Sequence, residues 1–192
     1  MLSVAAASRP TELDDATLRR AQRGDDVAAR DLVLLYQDRV FALASRMLSG
    51  RGRATIEDVA QDTFLAVFRQ LAKFDPAGSA KLSTWILTIA ARRAIDELRR
   101  MRPALLPDVE RDRAGEARTD ERTIRREIAA AVEGALRELS PELRAAFLLR
   151  EYHGLEYAEI AKSLAIDLGT VKSRLGRARA RLRELLAEVN HG

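Results

Sequence analysis

Between Thr170 and Arg183 the chain carries Lys172, Arg174, Arg177, Arg179, Arg181 and Arg183, with no acid among them before Glu184. Guanidinium forks match phosphate oxygens two bonds at a time, and at an exposed helix end they also reach base edges. A second run holds Arg92, Arg93, Arg99, Arg100 and Arg102 against Asp96 and Glu97, a local net of +3. That balance suits a nucleic-acid backbone. A basic run alone is more often a solvated helix face, so the elements around it decide its meaning.

Enzymatic chemistry needs a constellation, and none is written here. The only histidines are His153 and His191. No paired carboxylates, nucleophile with base, or phosphate-cradling loop is spelled out, so neither catalysis nor a cofactor is expected. His153 reads as a helix-terminal residue whose charge suits the dipole. The absence of cysteine excludes disulfides, thiolate chemistry and cysteine-containing metal sites.

The 192 residues are 47% hydrophobic and only 5% aromatic, with a net charge of +4. Helix-favouring Ala, Leu, Arg and Glu dominate and no window alternates like a strand, which predicts an all-α chain. MLSVAAASRP lacks the basic start and apolar stretch of a leader, and no apolar run approaches a membrane span. A cytoplasmic protein without membrane insertion is expected.

Residues 1–24 read as a tail and a short helix started by Asp14 or Asp15 and stopped by Gly24. Asp25 and Asp26 open a longer helix with a stripe through Leu32, Leu35, Tyr36, Val40, Phe41, Ala44, Met47 and Leu48. After SGRGR, a helix from about Ile56 turns Val59, Thr63, Phe64, Val67, Phe68 and Leu71 inward and leaves Asp58, Gln61, Asp62 and Arg69 outside. KFDPAGSAK forms a loop, and a helix from about Ser83 runs into the first arginine cluster. Trp85 lies one turn from Ile89 on the same face, which favours the core over an exposed wedge.

Residues 103–119 combine two prolines, a glycine and mixed charge without an apolar stripe, and are read as a flexible linker. It separates a domain at 25–102 from one at 120–190, and the composition permits docked or splayed domains. Helix resumes near Thr119 or Asp120 with Ile124, Ile128, Val132, Leu136 and Leu139 inward, and Ser140-Pro141-Glu142 caps the next helix. YAEIAKSL, a short turn and LGTVKSRLGRARARLREL then have helix-turn-helix spacing, with Ile160, Ala161 and Leu164 set to pack on Val171 and Leu175. Such a motif alone also fits a self-dimerising regulator on two half-sites, but that leaves residues 25–102 without a role.

DVAQDTFLAVFRQLAKFD with STWILTIAARRAIDELRR, followed by LSPELRAAFLLREYHGLEYAEIAKSLAIDLGTVKSRLGRARARLREL, resembles the extracytoplasmic-function group of the sigma-70 family. The likeness spans about residues 25–187. It implies two small helical domains, sigma domain two and a helix-turn-helix sigma domain four. It further implies a factor that binds core RNA polymerase at its clamp helices and flap, directs it to promoter DNA and helps melt that DNA. An anti-sigma protein is the partner expected to restrain it. Asp58, Gln61 and Asp62, matching D-x-x-Q-[ED], would face polymerase, with Arg69 at the rim. Phe74, Ser79, Ala80, Lys81 and Trp85 would open the minus-ten region and capture a base, and Arg92, Arg93, Arg99 and Arg100 would hold its backbone. Thr170, Lys172, Ser173, Arg174, Arg177 and Arg181 would meet the minus-thirty-five element.

The chain departs from the family pattern at several places. Where many relatives carry Y-R-I-A-R-N it reads Leu87 to Arg92, so minus-ten base preference does not transfer. Ala165 replaces a common glycine, and a left-handed backbone there costs about 1 kcal/mol or more. Asp167 replaces a proline but still suits a first turn. Glu156 replaces a serine cap, which predicts a weaker helix start.

Overall fold

The computed structural model describes residues 12–78, 80–100 and 121–189, with no strand among them. Eight helices follow in order: α1 (Asp15–Gln22), α2 (Asp26–Met47), α3 (Arg53–Leu71), α4 (Leu82–Arg100), α5 (Glu121–Arg137), α6 (Pro141–Glu151), α7 (Tyr157–Leu164) and α8 (Leu168–Val189). The N-terminal tail, the linker and His191 lie outside the described residues.

Most expected boundaries coincide with local chemistry. The Asp14 carboxylate accepts from the Ala16 and Thr17 amides at 3.1 and 2.9 Å, and Asp25 accepts from Ala28 at 2.9 Å. Both therefore satisfy donors that a helix start leaves orphaned. Gly24 between them has φ +85°, a conformation that a side chain resists. The third helix begins at Arg53, earlier than its apolar pattern predicts, because Gly52 supplies the extended residue before it.

One half of the molecule is α1 to α4, with α2, α3 and α4 packed on one another and α1 laid on α2. Tyr36, Leu32, Leu43 and Met47 fill its centre at full burial. Each such side chain contributes roughly 1.5–3 kcal/mol through removal from water. Thr63, turned inward as expected, donates its hydroxyl to the Val59 carbonyl at 2.7 Å. Glu12 ties the start of the chain to α4. Its carboxylate accepts from the Tyr36 hydroxyl at 3.0 Å, the Ser83 amide at 3.2 Å and the Ser83 hydroxyl. A carboxylate at the first turn of α4 also complements the helix dipole.

The other half packs α6 on α7 and α8, with α5 along α8. Leu136, Leu148, Leu149, Ile160, Val171, Leu175 and Ala178 form its core. The two halves are docked: α4 lies against α6 and α7, the end of α2 meets α6, and the buried residues of both halves make one continuous cluster. Arg144 of α6 reaches across and donates to the Met47 carbonyl at the end of α2. Its other terminal nitrogen donates to the Arg137 and Leu139 carbonyls at 2.7 and 3.2 Å. Arg46 stacks over Tyr152, 4.5 Å from the ring centroid.

Three side chains assigned inward by periodicity lie at the surface instead. Phe41 and Phe68 are 38% and 37% exposed, and Ile128 is 58% exposed. In α2 and α3 the apolar positions cover more than one face, and this chain covers only part of them.

Candidate nucleic-acid and protein interfaces

The outer face of α3 is built by helical spacing, since Gln61 and Asp62 lie three and four residues after Asp58 and all three are exposed. None makes a hydrogen bond or ion pair with another described residue. Beside them a groove of about 410 Å³ runs between α2 and α3, lined by Val33, Gln37, Phe41, Ala60, Gln61 and Phe64. Acids beside an apolar trough suit a partner helix carrying bases and apolar side chains. Arg69 is exposed in the last turn of α3. The acids are legible in the sequence but the trough is not, because Phe41 fits the core stripe equally well.

The connection between α3 and α4 is pinned at its base. Gln22 donates to the Leu71 and Phe74 carbonyls at 3.0 and 2.7 Å. Asp75 closes the turn, accepting from the Ala77 amide at 2.9 Å and the Gly78 amide at 3.1 Å. Phe74 and Trp85 are both half-buried, with ring centroids 5.1 Å apart and planes tilted by 39°. Trp85 therefore belongs partly to the core, and its ring also borders a cavity of about 520 Å³ with Ala80, Thr88, Arg92, Arg93 and Lys162. Lys81 is exposed, Ala80 is half-buried, and Ser79 lies outside the described residues.

The α4 arginines divide by partner. Arg92 donates to the Ser163 carbonyl at 2.8 Å and the Lys162 carbonyl at 3.4 Å, both at the end of α7. Arg99 pairs with Glu142 of α6 at 2.7 Å, which helps hold that carboxyl below its usual pKa against burial. Arg100 pairs with Glu97 on its own helix at 2.8 Å. Arg93 is exposed and pairs with none of the described residues.

In the helix-turn-helix, Ile160 is buried with Val171 and Leu175, while Ala161 and Leu164 are partly covered. Ala165 sits at φ 53°, ψ 50°, so alanine does occupy the left-handed turn. The expected weak start at Glu156 is corrected by Glu159, whose carboxylate accepts from the Glu156 amide at 2.7 Å. Asp167, just before α8, accepts from the Thr170 amide at 2.7 Å and from its hydroxyl, and these bonds hold its carboxyl below the usual range. Thr170 is thereby engaged in capping. Lys172 and Arg174 make no hydrogen bond or ion pair with a described residue. Ser173 donates to the Thr170 carbonyl at 3.1 Å, Arg177 donates to the Ser173 hydroxyl at 3.2 Å, and Arg181 pairs with Glu184 at 3.2 Å.

His153 corrects another expectation. Burial first, then Arg39 and Arg46, push its pKa down to about 4, so it is neutral near pH 7 and brings no charge to the end of α6.

Sequence families match this chain over both halves: Sigma-70 region 2 over residues 32–103, and Sigma-70, region 4 over residues 129–182. The chain is 36% identical to the RNA polymerase sigma-H factor of Pseudomonas aeruginosa over 88% of its own length and 91% of that protein. The chain belongs to the sigma-70 family. It is also 35% identical to the ECF RNA polymerase sigma factor SigE of Mycolicibacterium smegmatis, covering 82% of this chain and 61% of that one. These likenesses put it in the extracytoplasmic-function group, whose members bind core RNA polymerase, direct promoter-specific initiation and are not enzymes. Among solved structures it resembles the sigma factor RpoE of Bartonella quintana in complex with the anti-sigma factor NepR. That likeness has a TM-score of 0.62 and 25% identity, covering 82% of this chain and 96% of the other.

Proposed function

We propose that residues 25–102 act as sigma domain two and 120–190 as sigma domain four, and that the two surfaces described above divide the work of initiation. Asp58, Gln61 and Asp62 with the adjoining trough receive the polymerase clamp helices, and Arg69 lies at the rim. The second domain meets the flap. The loop from Phe74 to Lys81, with Trp85, captures a base displaced from the minus-ten region, because new contacts must offset the few kcal/mol that unstacking costs. Arg92, Arg93, Arg99 and Arg100 follow the adjacent backbone. Lys172 and Arg174 lead minus-thirty-five recognition, with Ser173 beside them, Thr170 shaping the helix start, and Arg177 and Arg181 along the phosphates.

The observation that carries this reading is the start of α8, where Asp167 caps the helix through Thr170 and leaves Lys172 and Arg174 unengaged. An anti-sigma protein is the expected restraint, in keeping with the complex of the RpoE relative. Work on polymerase and promoter belongs in the cytoplasm, and no described helix is long and apolar enough to cross a membrane.

Reconstitution with core polymerase tests the assignment. Asp58→Ala with Gln61→Ala is expected to weaken polymerase binding while leaving binding of a minus-thirty-five duplex unchanged. Undiminished polymerase affinity would remove that face from the interface. Arg174→Ala is expected to cost about 1–3 kcal/mol on the specific duplex and less on random DNA. Equal losses on both would make Arg174 a phosphate contact alone.

A further inference from the structure

The segment around α1 grips the connection between α3 and α4 at both of its ends. Gln22, the last residue of α1, sends the two hydrogens of its side-chain amide to the Leu71 carbonyl at 3.0 Å and the Phe74 carbonyl at 2.7 Å. These carbonyls lie where the chain leaves α3. Ahead of α1, the Glu12 carboxylate accepts from the Ser83 amide at 3.2 Å and from the Ser83 hydroxyl, where the chain enters α4. The first turn of a helix leaves its amides without intrahelical partners, so Glu12 caps α4 from far away in sequence.

Both grips are themselves anchored. Leu18 and Ala21 bury α1 against α2, at 2% and 7% exposure. The Tyr36 hydroxyl accepts from the Leu13 amide at 3.0 Å and donates to Glu12 at 3.0 Å, which fixes the direction of the carboxylate. Gln22 and Glu12 therefore sit at set places on one seated element, and the two ends of the connection are spaced by it.

We propose that Gln22 and Glu12 are positioning residues for base capture, holding the connection from Phe74 to Lys81 in its capturing shape before DNA arrives. The inference rests on the reading of this connection, with Trp85, as the minus-ten capture element, and adds the parts that preset it. Contacts to a displaced base must offset both its unstacking and the ordering of the loop that receives it. A loop fixed beforehand removes the second cost. Phe74 links the grip to the site: Gln22 holds its carbonyl, and its ring lies 5.1 Å from that of Trp85. Releasing the carbonyl frees the ring on which Trp85 packs.

Holoenzyme made from the full chain and core polymerase tests the proposal, on a promoter that the unmodified holoenzyme selects from genomic DNA. The probe is the single strand of its minus-ten region, intact or with one base removed at each position in turn. Unmodified holoenzyme is expected to bind about tenfold more weakly where the missing base is the captured one. Gln22→Met keeps the length of the side chain and removes both donors. It is expected to lose about five- to tenfold on the intact strand and little more on the strand lacking the captured base. Glu12→Ala should behave alike, and Glu12→Gln, whose amide oxygen still accepts from Ser83, should recover most of the loss. Equal losses on both strands would trace the effect to the fold in general and overturn the proposal, as would full affinity for both. If removing no base matters to the unmodified holoenzyme, the capture reading itself fails and the positioning role falls with it.

Discussion

Arg144 is 5% exposed, and desolvation, with Arg51 and Arg137 nearby, pushes its pKa down to about 10. It remains charged near neutrality and spends that charge on three carbonyls, from the ends of α2 and α5 and from the turn before α6. Arg144→Met keeps much of the volume but strands those acceptors, and urea denaturation should show a loss of about 2–4 kcal/mol. His153 gives a pH signature. Its folded pKa of about 4 lies below its ordinary 6.5, so the unfolded chain binds more protons between those values. Stability from this group is complete above pH 6.5 and lost as pH falls toward 4. His153→Gln should flatten that part of a plot of denaturation midpoint against pH.

At the scale of elements, the turn before α8 carries a backbone cost that can be removed. Ala165→Gly relieves the left-handed alanine and should stabilise the chain by about 1 kcal/mol, measured by chemical denaturation. A midpoint that falls would show that glycine's extra freedom in the unfolded chain outweighs the relief. The helix starts at Asp14, Asp25 and Ser140 were legible because a short polar side chain and its amide partner lie within three residues. The helix-turn-helix was legible because its packing pairs also lie close in sequence. The trough between α2 and α3 was not, since periodicity reports that Phe41 and Phe68 are apolar but not whether this chain or a partner covers them. Nor was the start of α7, where the Glu159 carboxylate reaches back to the Glu156 amide. The partners of Arg92 were hidden for another reason: they are backbone carbonyls, which every sequence possesses.

For the whole molecule, the continuous core implies shared stability. Calorimetry should record a single unfolding transition, because separating the halves would expose apolar surface on α2, α4 and α6 together. Two well-separated transitions would mean that each half stands alone. Scattering in solution offers an independent check, since a compact chain of 192 residues has a radius of gyration of about 16 Å, and splayed halves would exceed it clearly.

Thr84, Thr88 and Arg92, one turn apart along α4, hydrogen-bond to Glu159 and Ser163 of α7, and this seam bears on how such proteins can be recombined. A surface of α4 that must match α7 cannot be redrawn in one half without consequence for the other. A hybrid joining this first half to the second half of a relative would inherit a mismatched seam. Its docking and its stability would then change together, even with every exposed side chain left in place.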